Sequence, residues 1–111
     1  MRKIFLSGAL IVCLLLGACG NGKPSNISQE VYDIGLDAVE TIEMYQDGKM
    51  AQDEAVNRLK SFTDAIDAAM DENNIYESNV KTYVEFAGYD INLGESGIDR
   101  LNALKKELGV D

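Results

Sequence analysis

The side chains that most often carry catalysis or bind metals are scarce in this sequence. It contains no histidine, and its two cysteines, Cys13 and Cys19, both lie within the first 19 of 111 residues. The lack of histidine excludes histidine acid–base catalysis and histidine zinc sites. The sequence also contains no G-x-S-x-G nucleophile elbow and no phosphate-binding glycine loop. Catalysis by paired carboxylates remains possible, but it would need a cleft, and a small helical domain has little room for one. We expect no enzyme activity, and a carboxylate enzyme acting on wall polymers is the least favoured alternative.

One run of carboxylates has the spacing of a calcium site. Between Glu43 and Glu54, Asp47 and Gly48 occupy the fifth and sixth of twelve positions, and Glu54 the twelfth. The segment partly resembles an EF-hand loop, which would make Glu43, Asp47 and Glu54 calcium ligands. It departs from that pattern at Glu43, where Asp is usual, and at Tyr45, where an oxygen ligand is needed. The alternative, which turn chemistry favours, is a plain helix–Asp-Gly–helix turn.

Three tyrosines are the candidate partner-binding residues. Tyr76, Tyr83 and Tyr89 lie in the least regular part of the sequence. Tyrosine combines an apolar ring with a polar hydroxyl and is favoured at protein interfaces. The other interpretation is that these rings close the core while their hydroxyls remain in water.

The first residues have the features of an export signal. Arg2 and Lys3 are followed by an apolar run over residues 4–16 and by the small residues Gly17 and Ala18. A basic start, an apolar core and a small-residue exit are typical of a secretory signal peptide. The run is too short for a permanent membrane helix, which needs ~20 apolar residues.

The end of this signal, Leu16-Gly17-Ala18-Cys19, resembles the lipobox of bacterial lipoproteins, although Gly17 is a less usual occupant. The resemblance implies that Cys19 carries a covalent diacylglycerol, the sole prosthetic group we expect, and becomes the first mature residue. Anchoring with two acyl chains is stable. The expected location is the outer face of the cytoplasmic membrane of a Gram-positive bacterium, or the outer membrane in a two-membrane bacterium. An ordinary secretory signal ending in cysteine is the alternative.

The charge balance restricts the partners. The sequence has 19 acidic and 10 basic residues, and loss of Arg2 and Lys3 with the signal changes the net charge from −9 to −11. Nucleic acid is excluded, because phosphate contacts need clustered lysine and arginine. An anionic bilayer also repels such a domain within a Debye length of ~8 Å. We therefore expect membrane attachment through lipid alone, and an unidentified envelope or protein partner.

Apolar periodicity predicts the fold of the rest. We divide the chain into a signal peptide (1–18), a flexible tether (19–27) and a helical domain (28–111). Ser28 is the expected N-cap of a first helix, and a second is expected over about 52–72. The fold class is all-α, a small up-and-down bundle of three to four amphipathic helices. The predicted function is a lipid-anchored interaction module, with calcium response as the alternative.

The third quarter of the chain is the most ambiguous. Tyr76, Val80, Tyr83 and Ala87 keep helical spacing, and we prefer a helix ending at Gly88. Strand-forming types also alternate there, at positions 80, 82, 84 and 86, so residues 75–93 are open between helix, strand and irregular structure. Residues 89–94 are expected to form a loop. A last helix is predicted from a Ser96 cap to Gly109, with inward-facing Ile98, Leu101, Leu104 and Leu108.

Overall fold

The structure, a computed structural model, describes residues Lys23–Val110. These residues form four helices: α1 (Gln29–Gln46), α2 (Gln52–Ala69), α3 (Ile75–Asn92) and α4 (Ile98–Leu108). No strand occurs in this range. The predicted all-α bundle is confirmed, with four helices within the described residues. The predicted signal peptide and Cys19 lie outside them.

Hydrogen bonds between helix ends show an up-and-down arrangement. Gln52 at the start of α2 donates to the Ile91 carbonyl near the end of α3, at 2.7 Å. Gln46 at the end of α1 donates to the Ser96 carbonyl before α4, at 3.0 Å. Helices α1 and α3 are therefore parallel to each other and contact across the bundle, while α2 and α4 lie antiparallel on either side of them.

This arrangement gives the bundle two distinct ends. The proximal end holds the start of the described chain, the α2–α3 link and the end of α4. There Asn74 donates through its amide to the Asn26 carbonyl at 2.8 Å, and Ile27 is buried. The distal end holds the α1–α2 and α3–α4 links. Because α3 has 18 residues, the two ends are separated by about 27 Å.

The core forms from one apolar stripe on each helix, because side chains three and four positions apart share a face. Gly35 on α1 allows α4 to pack closely: a Cβ there would lie 3.0 Å from a methyl carbon of Leu108. The buried apolar residues are Ile27, Val31, Ala38, Val39, Ile42, Met50, Ala55, Leu59, Ile66, Val80, Val84, Ala87, Ile91, Leu101, Leu104 and Leu108.

The first two helices begin and end close to their predicted limits. The Ser28 hydroxyl caps α1 by accepting from the Val31 N–H at 3.3 Å. After α1, Gly48 adopts a φ of 76°, a left-handed conformation that closes a helix end with little strain for glycine. Helix α2 contains an i,i+4 ion pair between Glu54 and Arg58, at 3.0 Å. Helix α2 ends at Ala69, because the backbone of Met70 is extended. The predicted helix, which continued to about residue 72, was therefore too long.

The largest difference between the sequence prediction and the structure is in helix α3. Residues 75–92 are helical, so neither the strand nor the irregular interpretation holds, and the predicted loop over 89–94 was wrong at its start. Val80, Val84, Ala87 and Ile91 are all fully buried, and this spacing keeps one helical face in the core past Gly88. Packing by Ile91 therefore extends the helix through the glycine that was expected to end it.

Helix α4 differs from prediction at its start. Gly97, with a φ of 76°, is the N-cap residue, while the Ser96 hydroxyl accepts from the Ile98 N–H at 3.2 Å. Ile98 is exposed rather than inward-facing. The helix ends at Gly109 as expected, with a φ of 74°.

Candidate functional site

Large exposed apolar side chains occur on the last two turns of α3 and at Leu93, its C-cap residue. Phe86, Tyr89 and Leu93 are 38 %, 56 % and 74 % exposed. At about 100° per residue, these positions fall within about 60° of one another around the helix, opposite the buried stripe. The Phe86 and Tyr89 rings lie 5.9 Å apart between centroids. We call Phe86, Tyr89 and Leu93 the distal surface.

Polar groups on either side hold this surface in place. The Tyr89 hydroxyl donates to Glu85 at 3.0 Å, and this hydrogen bond together with the Glu85 charge raises the pKa of Tyr89. On the other side, the Arg100 guanidinium lies 5.1 Å from the centre of the Phe86 ring. Arg100 also pairs with Asp90 at 3.2 Å. The aromatic rings are therefore fixed by neighbours from both α3 and α4.

The three candidate tyrosines do not form one surface. Tyr76 is exposed in the first turn of α3, 13 residues from Tyr89 and therefore about 20 Å along the helix. Tyr83 is half-buried and packs against the core. Of the three, Tyr89 alone belongs to the distal surface, where its ring lies beside that of Phe86.

Ile98 lies away from the distal surface, although it is also exposed at this end. On α4, Arg100 and Ile98 fall on opposite sides of the buried Leu101, since they are about 200° apart around the helix. Arg100 contacts α3 through Phe86 and Asp90, so Ile98 lies on the other side of α4.

The candidate calcium ligands are engaged separately. Glu43 pairs with Lys105 at 2.8 Å, and Glu54 pairs with Arg58 at 3.0 Å. Asp47 is exposed at the end of α1, where its N–H bonds to the Glu43 carbonyl at 2.9 Å. Within Lys23–Val110, no group of three or more acidic, histidine or cysteine side chains could hold a metal ion. The structure does not bring Glu43, Asp47 and Glu54 together.

The most constrained carboxylate is Glu77, in the first turn of α3. It is 3 % exposed and accepts from the Ser28 N–H at 2.8 Å and from the Asp71 N–H at 2.9 Å. Burial opposes its ionisation, but the hydrogen bonds from Asp71 and Ser28 outweigh burial and lower the pKa of Glu77. The carboxylate thus joins the start of α1 to the α2–α3 link, and we call this contact the Glu77 latch.

A second perturbed carboxylate lies on the outer face of α1. The pKa of Asp37 is raised by desolvation and by repulsion from Glu40 and Asp33. Asp33 accepts a hydrogen bond from Gln29 at 2.8 Å. This face is solvated and acidic, in agreement with the negative charge of the whole sequence.

Comparison with protein-family models, with curated proteins and with solved structures finds no match to this chain. Among the described helices, none combines the length and the apolar composition that crossing a membrane requires.

Sequence reasoning identified Tyr89 but missed Phe86 and Leu93 as its neighbours. Phe86 was assigned to a possible strand, and Leu93 to a loop. The helical spacing of three, four and seven residues from Phe86 through Tyr89 to Leu93 was present in the sequence. It becomes informative once α3 is known to continue past Gly88.

Proposed function

We propose that this protein is an exported lipoprotein, held at the cell envelope by lipid on Cys19, and that it acts there as a small non-catalytic interaction module. The lipobox-like residues before Cys19 support the anchor, and the acidic composition supports attachment through lipid alone. The observation that carries the interaction role is the distal surface, which exposes two aromatic rings and a leucine side by side.

Exposed apolar clusters of this kind are informative about function. Single apolar side chains are common on protein surfaces, whereas a group of them marks an interaction site more often. Phenylalanine, tyrosine and arginine are enriched in protein interfaces. Tyrosine and arginine are also enriched among the residues that contribute most of the binding free energy. Phe86, Tyr89 and the adjacent Arg100 therefore form a suitable binding centre.

The position of this surface fits an anchored molecule. Cys19 precedes Lys23 by four residues, so a fully extended chain places Lys23 at most about 14 Å from the lipidated residue. Lys23 belongs to the proximal end, and the distal surface lies at the far end of α3. An anchor at Cys19 would thus present Phe86, Tyr89 and Leu93 away from the membrane.

The experiment has two parts. Cells are labelled with radioactive palmitate while they produce the wild-type protein or Cys19→Ser, and the protein is located by fractionation. We expect label and membrane association in the wild type, and neither in the variant. Formaldehyde crosslinking of intact cells should then give a larger adduct with the wild type. An unlabelled, freely secreted wild-type product would refute the anchor, and absence of any adduct would refute the interaction role.

A further inference from the structure

The shape of the distal surface favours a macromolecular partner. Phe86, Tyr89 and Leu93 project from the outer face of one helix rather than into a cleft. Small-molecule sites are concave and enclose most of their ligand, whereas helix faces are common contact surfaces for other protein segments. The occupant must therefore supply its own complementary apolar groups.

The charges around the surface favour a cationic partner. Glu85 lies beside Tyr89 and makes no ion pair within the described residues, although its charge acts on Lys81, which itself pairs with Asp67. Glu95 follows Leu93 closely, with its N–H bonded to the Asp90 carbonyl at 2.9 Å, and is likewise unpaired there. The cation in contact with this surface, Arg100, is already paired with Asp90. An approaching lysine or arginine would meet two carboxylates that make no ion pair in the described part of the chain.

The same charges disfavour two other occupants. A second copy of the protein would bring together two molecules whose net charge is −11 once the signal is removed, and would place Glu85 and Glu95 near their equivalents. An anionic membrane would repel the surface in the same way. The distal surface also lies about 17–27 Å along α3 from its first residue, Ile75, at the end where a lipid anchor would attach.

We propose that the distal surface docks an envelope protein through a segment in which apolar side chains are flanked by lysine or arginine. The apolar side chains of that segment pack on Phe86, Tyr89 and Leu93, and its basic residues approach Glu85 and Glu95. This assignment rests on the proposed function and adds the chemistry of the partner and the side on which it binds.

The test is site-specific photocrosslinking of the full-length protein on living cells. A benzophenone amino acid replaces Leu93 in one strain and Ile75 in another. Ile75 is a matched control, because it is 65 % exposed on the same helix but at the proximal end. We expect a protein adduct from position 93 and none of that mass from position 75. Mass spectrometry of the crosslinked peptide should show apolar residues next to lysine or arginine.

Charge is tested in the position-93 strain with two matched pairs of substitutions. Glu85→Gln with Glu95→Gln removes the carboxylates at the surface, whereas Glu40→Gln with Glu72→Gln removes two exposed carboxylates elsewhere. Both pairs change the net charge equally. We expect the adduct yield to fall about fivefold in the first pair, as the loss of two exposed charge pairs predicts, and to stay unchanged in the second.

The other outcomes are also decisive. An adduct between two copies of the chain, an adduct with lipid, or a crosslinked peptide without basic residues would overturn this assignment. So would an equal effect of the two charge pairs. The same probe is also placed at Tyr76 and at Tyr83 in separate strains. A protein adduct from either of these positions, but none from position 93, would preserve the interaction role and refute this surface. No adduct from any of these positions would refute both.

Discussion

The Glu77 latch predicts a large and pH-dependent loss of stability in Glu77→Gln. One carboxylate accepts two hydrogen bonds from backbone N–H groups on different elements. Each hydrogen bond to a charged group contributes about 1.5–3 kcal/mol to the free energy of unfolding. Glutamine keeps one carbonyl oxygen but turns an NH₂ group toward the other donor. We therefore expect a loss of about 2–3 kcal/mol at pH 7, close to one such bond.

This loss is large compared with the total free energy of unfolding. A domain of the 88 described residues is expected to have a free energy of unfolding of about 4–13 kcal/mol, at 0.05–0.15 kcal/mol per residue. The assay is urea unfolding followed by circular dichroism, which suits a helical protein without tryptophan. Glu72→Gln is the control, because it removes an exposed glutamate from the adjacent link.

The sign of the pH dependence follows from the lowered pKa of Glu77. The folded state holds the ionised form more strongly than the unfolded chain does, so the stabilisation is complete above the ordinary glutamate pKa of 4.5. It is lost as the pH falls through the lower folded-state pKa. The difference between wild type and Glu77→Gln should therefore be largest near pH 7 and shrink below pH 4.5. A Glu77→Gln variant as stable as Glu72→Gln at pH 7, or a difference that grows in acid, would refute this account.

Three further predictions use other contacts. Gly88→Ala should raise the free energy of unfolding by up to about 1 kcal/mol, because alanine has the higher helix propensity. Gly35→Ala should raise this free energy less or lower it, because the new Cβ would lie 3.0 Å from Leu108. Thermal melts of the two variants test the difference. Calcium at millimolar concentration should leave the melting temperature unchanged, since Glu43 and Glu54 are already paired with basic side chains. A rise in the melting temperature would show that calcium binds. Glu85→Gln should lower the pKa of Tyr89, measured by ultraviolet titration, because it removes the carboxylate that raises it.

The sequence predicted the helices best where one apolar stripe was uninterrupted. Ser28, Gly48 and Gly109 act at helix ends as local chemistry predicts, because capping depends on residues within one turn. Gly88 was misleading for the same reason: glycine is locally a good terminator. Its effect in α3 is overcome by Ile91, whose burial depends on helices distant in sequence.

The candidate site was predicted less completely. Tyr89 was identified by residue type, but its association with Phe86 and Leu93 depends on the continuation of α3. The Asn74 side chain caps α3 by accepting from the Tyr76 and Glu77 N–H groups, which is a contact within one turn. The bond from Ser28 to Glu77 spans 49 residues, and local patterns contain no information on such a contact.

The two ends of α3 suggest how binding and anchoring could be linked. At the proximal end, Glu77 bonds to Ser28, and Asn74 bonds to Asn26, so the beginning of α3 is joined directly to the segment that leads toward Cys19. At the distal end, the same helix carries Phe86, which is exposed for contact. The Glu77 latch therefore holds the start of α3 against the segment that leads toward Cys19, and Glu77→Gln should loosen this contact before it unfolds the bundle.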